Sequence, residues 1–120
     1  MLAGIKLSPD EVEMDKADTP QELMRNPKAK RIRAHVHIYG TVQGVYYRQN
    51  TKQVADRHGV KGWVRNLSDG RVEAVFEGDD LNVNEVIEWC HVGPPKASVK
   101  DVSVRYEKYT GEFAGFEVNY

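Results

Sequence analysis

The chain has 120 residues, enough for one compact domain with its own core plus a tail, and too few for a second domain of ordinary size. Its 40% hydrophobic and 29% charged residues are those of a folded globular protein and exclude wholesale disorder or a fibrous array. A formal net charge of -1 offers no general attraction for nucleic acid or an anionic membrane, and the single cysteine, Cys90, excludes an internal disulfide and a thiolate metal cluster.

No apolar run approaches the ~20 residues needed to cross a bilayer, and the N-terminus has no basic region followed by an apolar stretch. The expectation is a cytoplasmic protein with no membrane partner. Residues 1–30 are polar and charged and end in Asn26-Pro27-Lys28-Ala29-Lys30, a linker composition that predicts a flexible tail. Within it, Ser8-Pro9-Asp10-Glu11 and Thr19-Pro20-Gln21-Glu22 each carry a hydroxyl cap, a proline at the first helical position and a glutamate at the third. Short helices are expected there, marginal on their own. Residues 31–120 are expected to form the domain.

From Ile32 the pattern alternates: Ile32, Ala34, Val36 and Ile38 on one side, Arg33, His35, His37 and Tyr39 on the other, which predicts a half-buried strand. After the turn from Gly40 to Gly44, Tyr47, Thr51, Val54, Ala55 and His58 share one helical face, and Gly59 supplies a left-handed stop. Val60 to Asn66 and Arg71 to Glu77 are β-prone runs joined by Leu67-Ser68-Asp69-Gly70, whose Asp-Gly signals a hairpin. Asp79 or Asp80 then caps a second helix with Val83, Val86, Ile87 and Cys90 on one stripe, closed by Gly93-Pro94-Pro95. Val102, Val104 and Tyr106 alternate in a fourth strand, and Phe116, Val118 and Tyr120 in a closing one. The predicted class is α+β: a ferredoxin-like βαββαβ sandwich, an antiparallel sheet with two helices on one face.

Such a fold hosts many functions, so function is argued from a site. Gly40-Thr41-Val42-Gln43-Gly44-Val45-Tyr46-Tyr47-Arg48 bridges the first strand and first helix. A glycine-punctuated turn feeding a helix start turns several backbone N–H groups toward one point, where the helix dipole adds positive character. Arg48, in the first helical turn, has a planar guanidinium suited to bidentate binding of phosphate or carboxylate. Taken alone, it reads equally as a solvated surface cation. Asn66 stands at a strand-to-turn boundary, where asparagine is favoured as a turn former. Asn66-Leu67-Ser68 also matches a glycosylation acceptor, discounted without a secretory signal.

Together the two stretches resemble the acylphosphatase family. Gly40 through Arg48 match its first signature; Gly62, Trp63, Asn66, Gly70 and Gly78 match its second, and the resemblance runs from about Arg31 to Tyr120. Tyr47 departs from the phenylalanine of many members, adding a hydroxyl expected to point to solvent, and Tyr46 falls at a variable position. The resemblance implies hydrolysis of a small acyl phosphate to carboxylate and inorganic phosphate. It makes Arg48 the phosphate ligand, Gln43, Gly44, Val45, Tyr46 and Tyr47 with Arg48 the phosphate-binding loop, and Asn66 the residue that orients the attacking water. Catalysis then rests on Arg48 and Asn66, without cofactor or metal, and inorganic phosphate binds as product or inhibitor. Thr51 is expected to face the core one turn beyond Arg48.

Three rivals are weaker. His35 and His37 share a strand face and would suit a metal only with a third ligand, yet the pattern places no Asp, Glu or Cys near them. An RNA-recognition module shares the strand order, but Arg71-Val72-Glu73-Ala74-Val75-Phe76-Glu77 carries acidic residues where base-stacking aromatics and cations belong, so no nucleic-acid partner is expected. A small-molecule regulatory domain of this fold has no need of Arg48 and Asn66 together. Acylphosphatase-like domains also occur inside larger carbamoyl-transfer proteins, for whose additional domains this length leaves no room.

Overall fold

The computed structural model describes residues 30–120, so the short helices expected at Ser8–Glu11 and Thr19–Glu22 lie outside the described residues. In chain order the elements are β1 (Arg31–Thr41), α1 (Tyr47–Arg57), β2 (Lys61–Asn66), β3 (Val72–Asp79), α2 (Asp80–Val92), β4 (Ser98–Glu107) and β5 (Phe116–Asn119). They build a five-stranded sheet in the order β4-β1-β3-β2-β5, with both helices packed on it. The fold is the expected ferredoxin-like α+β sandwich.

Alternation explains the core. Ala34, Val36 and Ile38 of β1 have no solvent exposure, and Val64, Val72, Ala74 and Phe76 join them from β2 and β3. Tyr47, Thr51, Val54 and Ala55 of α1 and Val83, Val86, Ile87 and Cys90 of α2 cover this face. Burial of each large side chain contributes about 1.5–3 kcal/mol. Because β3 is central, its other face is buried too, and this is why Glu73 and Glu77 lie beneath the polar side chains of the helix-free face. His58, expected on the α1 stripe, falls just past the helix at its C-cap and is only half-buried.

The sheet is antiparallel through β4, β1, β3 and β2, but β5 runs parallel to β2, from Gly62↔Phe116 to Arg65↔Asn119. The reason is directional. Glu107 at the end of β4 pairs with Arg33 near the start of β1, Arg33 with Glu77, and Glu77 with Lys61 at the start of β2. A chain leaving β4 and re-entering from that same end must run with β2. Glu77 holds the crossing segment: its carboxylate accepts from the Thr110 and Gly111 amides at 2.9 and 3.0 Å. Phe116 then stacks on Phe76 at 5.6 Å, anchoring β5 in the core. Gly62 permits the close pairing of β2 with β3, since a Cβ there would meet the Val75 carbonyl oxygen at 1.9 Å.

The Tyr47 hydroxyl does not point to solvent. It is buried and donates to the Cys90 carbonyl at 2.7 Å, while the ring packs against Trp89 at 5.4 Å. Helix packing dictates this, because the start of α1 meets the last turn of α2, whose carbonyls lack intrahelical partners. Thr51 is fully buried and donates to the Tyr47 carbonyl at 2.7 Å. Burial pushes the Cys90 thiol up to about 12. At pH 8 the thiol is then overwhelmingly protonated, and the thiolate is the reactive form. A thiol-reactive disulfide reagent is therefore expected to leave the folded chain unlabelled over minutes and to label one thiol promptly in denaturant. Rapid labelling of the native chain would contradict this packing.

Candidate active site

The segment between β1 and α1 is built as a concave cradle. Gly44 and Tyr46 both adopt left-handed backbone angles, with φ 75° and 65°, whereas Val45 between them does not. Such alternation swings successive amides to one side. Among the described residues, no main-chain or side-chain acceptor takes the N–H groups of Gln43 to Arg48. Tyr46 is the N-cap of α1, provides no side-chain cap and is followed by no acidic residue in the first turn. The positive end of the helix is thus left open, the condition under which an anion is bound. Among the described residues Tyr46 is the only non-glycine at positive φ, a conformation costing about 1–3 kcal/mol and concentrated at functional sites. The sequence places Tyr46 in the expected phosphate-binding loop, at a variable position, but gives no sign of this backbone conformation.

A cleft of about 280 Å³ opens here, lined by Val42, Gly44, Tyr46, Tyr47, Arg48, Gln49 and Asn66. The structure therefore brings Arg48 and Asn66, 18 positions apart in the sequence, to one cavity with the loop. Arg48 is the second residue of α1, and its Nη1 donates to the Asn119 carbonyl at 3.0 Å while the guanidinium lies 4.6 Å from the Tyr120 ring centroid. The end of β5 thus fixes the arginine from behind. Asn66 closes β2, and its Oδ1 is buried without a hydrogen-bond partner. An orphaned buried acceptor is costly, about 1–3 kcal/mol, and calls for a functional account.

The side chains of Gln43 and Val45 turn away from the cleft. Val45 packs against the core, and the Gln43 amide turns away to donate to the Leu67 and Arg71 carbonyls at 2.7 and 2.9 Å. Gln43 thereby clasps the β2–β3 turn to the loop, a positioning role that the sequence reading missed along with Asn119 and Tyr120. The signal available was only the polar residue itself.

The helix-free face carries a second polar assembly. The β1–β3 register sets Glu73 directly opposite His37, so the expectation of no carboxylate near the two histidines does not hold. Glu73 Oε2 lies 2.6 Å from His35 Nε2 and 3.6 Å from His37 Nε2, and Glu107 Oε2 lies 3.0 Å from His35 Nδ1. Burial pushes the Glu73 carboxyl up, but His35 and Arg65 outweigh it and hold it below the usual range. Arg33 meets Glu77, Glu107 and Glu112 at 3.1–3.3 Å. Acidic strand residues that argued against RNA binding are thus consumed in ion pairs.

A ferredoxin-like sandwich whose first helix opens on an amide-lined cleft defines a small oxyanion-handling domain. The acylphosphatase family profile matches residues 34–118, and the chain belongs to that family. It is 59% identical over 88 residues to an acylphosphatase of Haloquadratum walsbyi, covering 73% of this chain and 94% of that one. An acylphosphatase of Pyrobaculum arsenaticum is 61% identical over 87 residues, covering 72% of this chain and 92% of its own length. The crystal structure of acylphosphatase from Bacillus subtilis superposes with a TM-score of 0.72 at 31% identity, covering 74% of this chain and 99% of that chain. The chain is accordingly an enzyme with acylphosphatase activity. Among the described residues no helix is long and apolar enough to cross a membrane.

Proposed function

We propose that the chain hydrolyses the carboxyl–phosphate bond of a small acyl phosphate by in-line attack of a water that Asn66 orients. The phosphoryl group is held by the amides of Gln43, Gly44, Val45, Tyr46, Tyr47 and Arg48 together with the Arg48 guanidinium. The observation that carries this reading is the unpartnered, buried Oδ1 of Asn66 in the cleft that Arg48 lines. An acceptor with nothing to accept from is suited to an O–H donor, and a water held there has its lone pair free for phosphorus.

In the reaction the water oxygen bonds to phosphorus as the bond from phosphorus to the acyl oxygen breaks, and the carboxylate departs. A substrate oxygen takes the water's proton. This assignment is supported by the lining of the cleft, which among the described residues includes no His, Asp or Glu. Positioning and preorganised donors then carry the catalysis, as expected for a phosphoryl group with a good leaving group. Inorganic phosphate, the product, occupies the same cradle as an inhibitor. No cofactor or metal takes part, and no nucleic acid or membrane is a partner.

Benzoyl phosphate hydrolysis followed in excess chelator tests the reading. Phosphate release with competitive inhibition by inorganic phosphate is the expected result, and loss of turnover in chelator sinks it. Residues 1–30 are a tail in this proposal, with residues 31–120 carrying the activity. Removing residues 1–26 is expected to change the rate by no more than a few-fold.

A further inference from the structure

On the helix-free face, away from the residues that line the catalytic cleft, we propose that His35, His37 and Glu73 form a binding site for a divalent late first-row metal ion, zinc being the reference ion. The two histidines are two apart on β1 and so share a face, with ring centroids 5.0 Å apart. Glu73 enters from β3, and one ligand atom from each residue lies within 4.8 Å of the others. Ligands ~2.0–2.1 Å from a tetrahedral zinc stand roughly 3.4 Å from one another. Separations of 2.6 and 3.6 Å from Glu73 Oε2 bracket that value, and the three ligand atoms lie within 4.8 Å of one another, so side-chain rotations on the order of an ångström complete the set.

Two further contacts favour the same reading. Arg65 engages Glu73 Oε1 at 2.6 Å, leaving Oε2 as a single aimed ligand atom. Glu107 accepts from His35 Nδ1 at 3.0 Å, the carboxylate–histidine arrangement that directs the other ring nitrogen toward a metal. The ion takes the place of the proton between His35 Nε2 and Glu73, and that proton leaves to the buffer. His35 and His37 side chains are 20% and 25% exposed, so solvent reaches the site and a water supplies the fourth ligand. Two imidazoles and one carboxylate suit zinc, copper or nickel, whereas magnesium and calcium require more oxygen ligands. Arg65 pairs with Glu73, and the charges of Arg71 and Arg105 act on His37, so the surrounding cations keep the site weaker than a structural zinc centre.

The test is calorimetric titration of the untagged full chain with zinc chloride, beside magnesium chloride. One zinc per chain and no magnesium binding are expected. Glu107→Gln should weaken zinc about tenfold, and His37→Gln and Glu73→Gln each about 100-fold. Trp63 meets the His35 ring edge-on at 6.4 Å, so copper should quench its fluorescence, and Trp63→Phe should lose that quenching while still binding one zinc. Benzoyl phosphate turnover should be equal with and without chelator, which separates this site from the catalytic cleft. Absence of zinc binding, or zinc affinity unchanged in both His35→Gln and His37→Gln, overturns the proposal. Copper quenching that survives in both His35→Gln and His37→Gln also overturns it, because the ion then sits elsewhere.

Discussion

Arg48→Ala is expected to lower kcat/KM on the order of 100-fold or more, the effect of removing a preorganised donor from a developing oxyanion, with a charged donor at the upper end. Among the described residues Arg48 is the one cationic side chain lining the cleft, so phosphate inhibition should weaken in the same variant. Lysine should rescue little: it lacks the planar fork, and it cannot donate at once to the Asn119 carbonyl and present a second, rigidly related N–H to the phosphoryl group. The Asn119 contact and the Tyr120 ring hold the guanidinium in place before substrate arrives, which lowers the ordering cost at the moment of reaction. The check is steady-state kinetics with inhibition by inorganic phosphate. A variant that binds phosphate as tightly as the parent would remove Arg48 from the role assigned.

Asn66→Ala should fail in a different way. On the proposed mechanism its carboxamide holds the water rather than the phosphoryl group, so turnover should fall on the order of 100-fold or more while the phosphate inhibition constant changes little. The orphaned Oδ1 sharpens the expectation for stability. Asn66 makes no side-chain hydrogen bond among the described residues, and its pairing with Val72 belongs to the backbone ladder. Alanine therefore removes an unsatisfied buried acceptor and should leave the thermal midpoint unchanged or raised. Loss of activity without loss of stability separates a role in catalysis from a role in the turn. Near-parental turnover in a normally folded variant is the outcome that overturns the mechanism.

The elements were legible because their signals are local. Period-two alternation from Ile32 to Ile38 and the stripe from Val83 to Cys90 identified the buried faces without knowledge of any partner. The cradle between Gly40 and Arg48 was legible as a candidate anion site from its glycine and its place before a helix, but Asn66 taken alone reads as a turn former. Only the joint motif singled it out. What stayed hidden depends on register and strand order. Gln43 reaches Leu67 across 24 positions, Tyr47 reaches Cys90 across 43, and Arg48 reaches Asn119 across 71. Glu73 was in view as an acidic strand residue, but its position opposite His37 follows from the β1–β3 pairing, which alternation does not specify. The parallel direction of β5 was hidden for the same reason.

The strand that supports Arg48 also ties the site to the order in which the chain folds. β5 joins β2 across 54 positions, from Gly62 to Phe116, and it docks only where the β2–β3 pair already stands. Closing so long a loop is entropically slow, and its reward comes after the local helices and hairpin are in place. Until then Arg48 has neither the Asn119 carbonyl nor the Tyr120 ring behind it. Any state in which β5 is undocked therefore holds the loop without a fixed arginine. The emergence of activity during refolding accordingly marks the docking of the last strand, a step to which bulk helix content is blind.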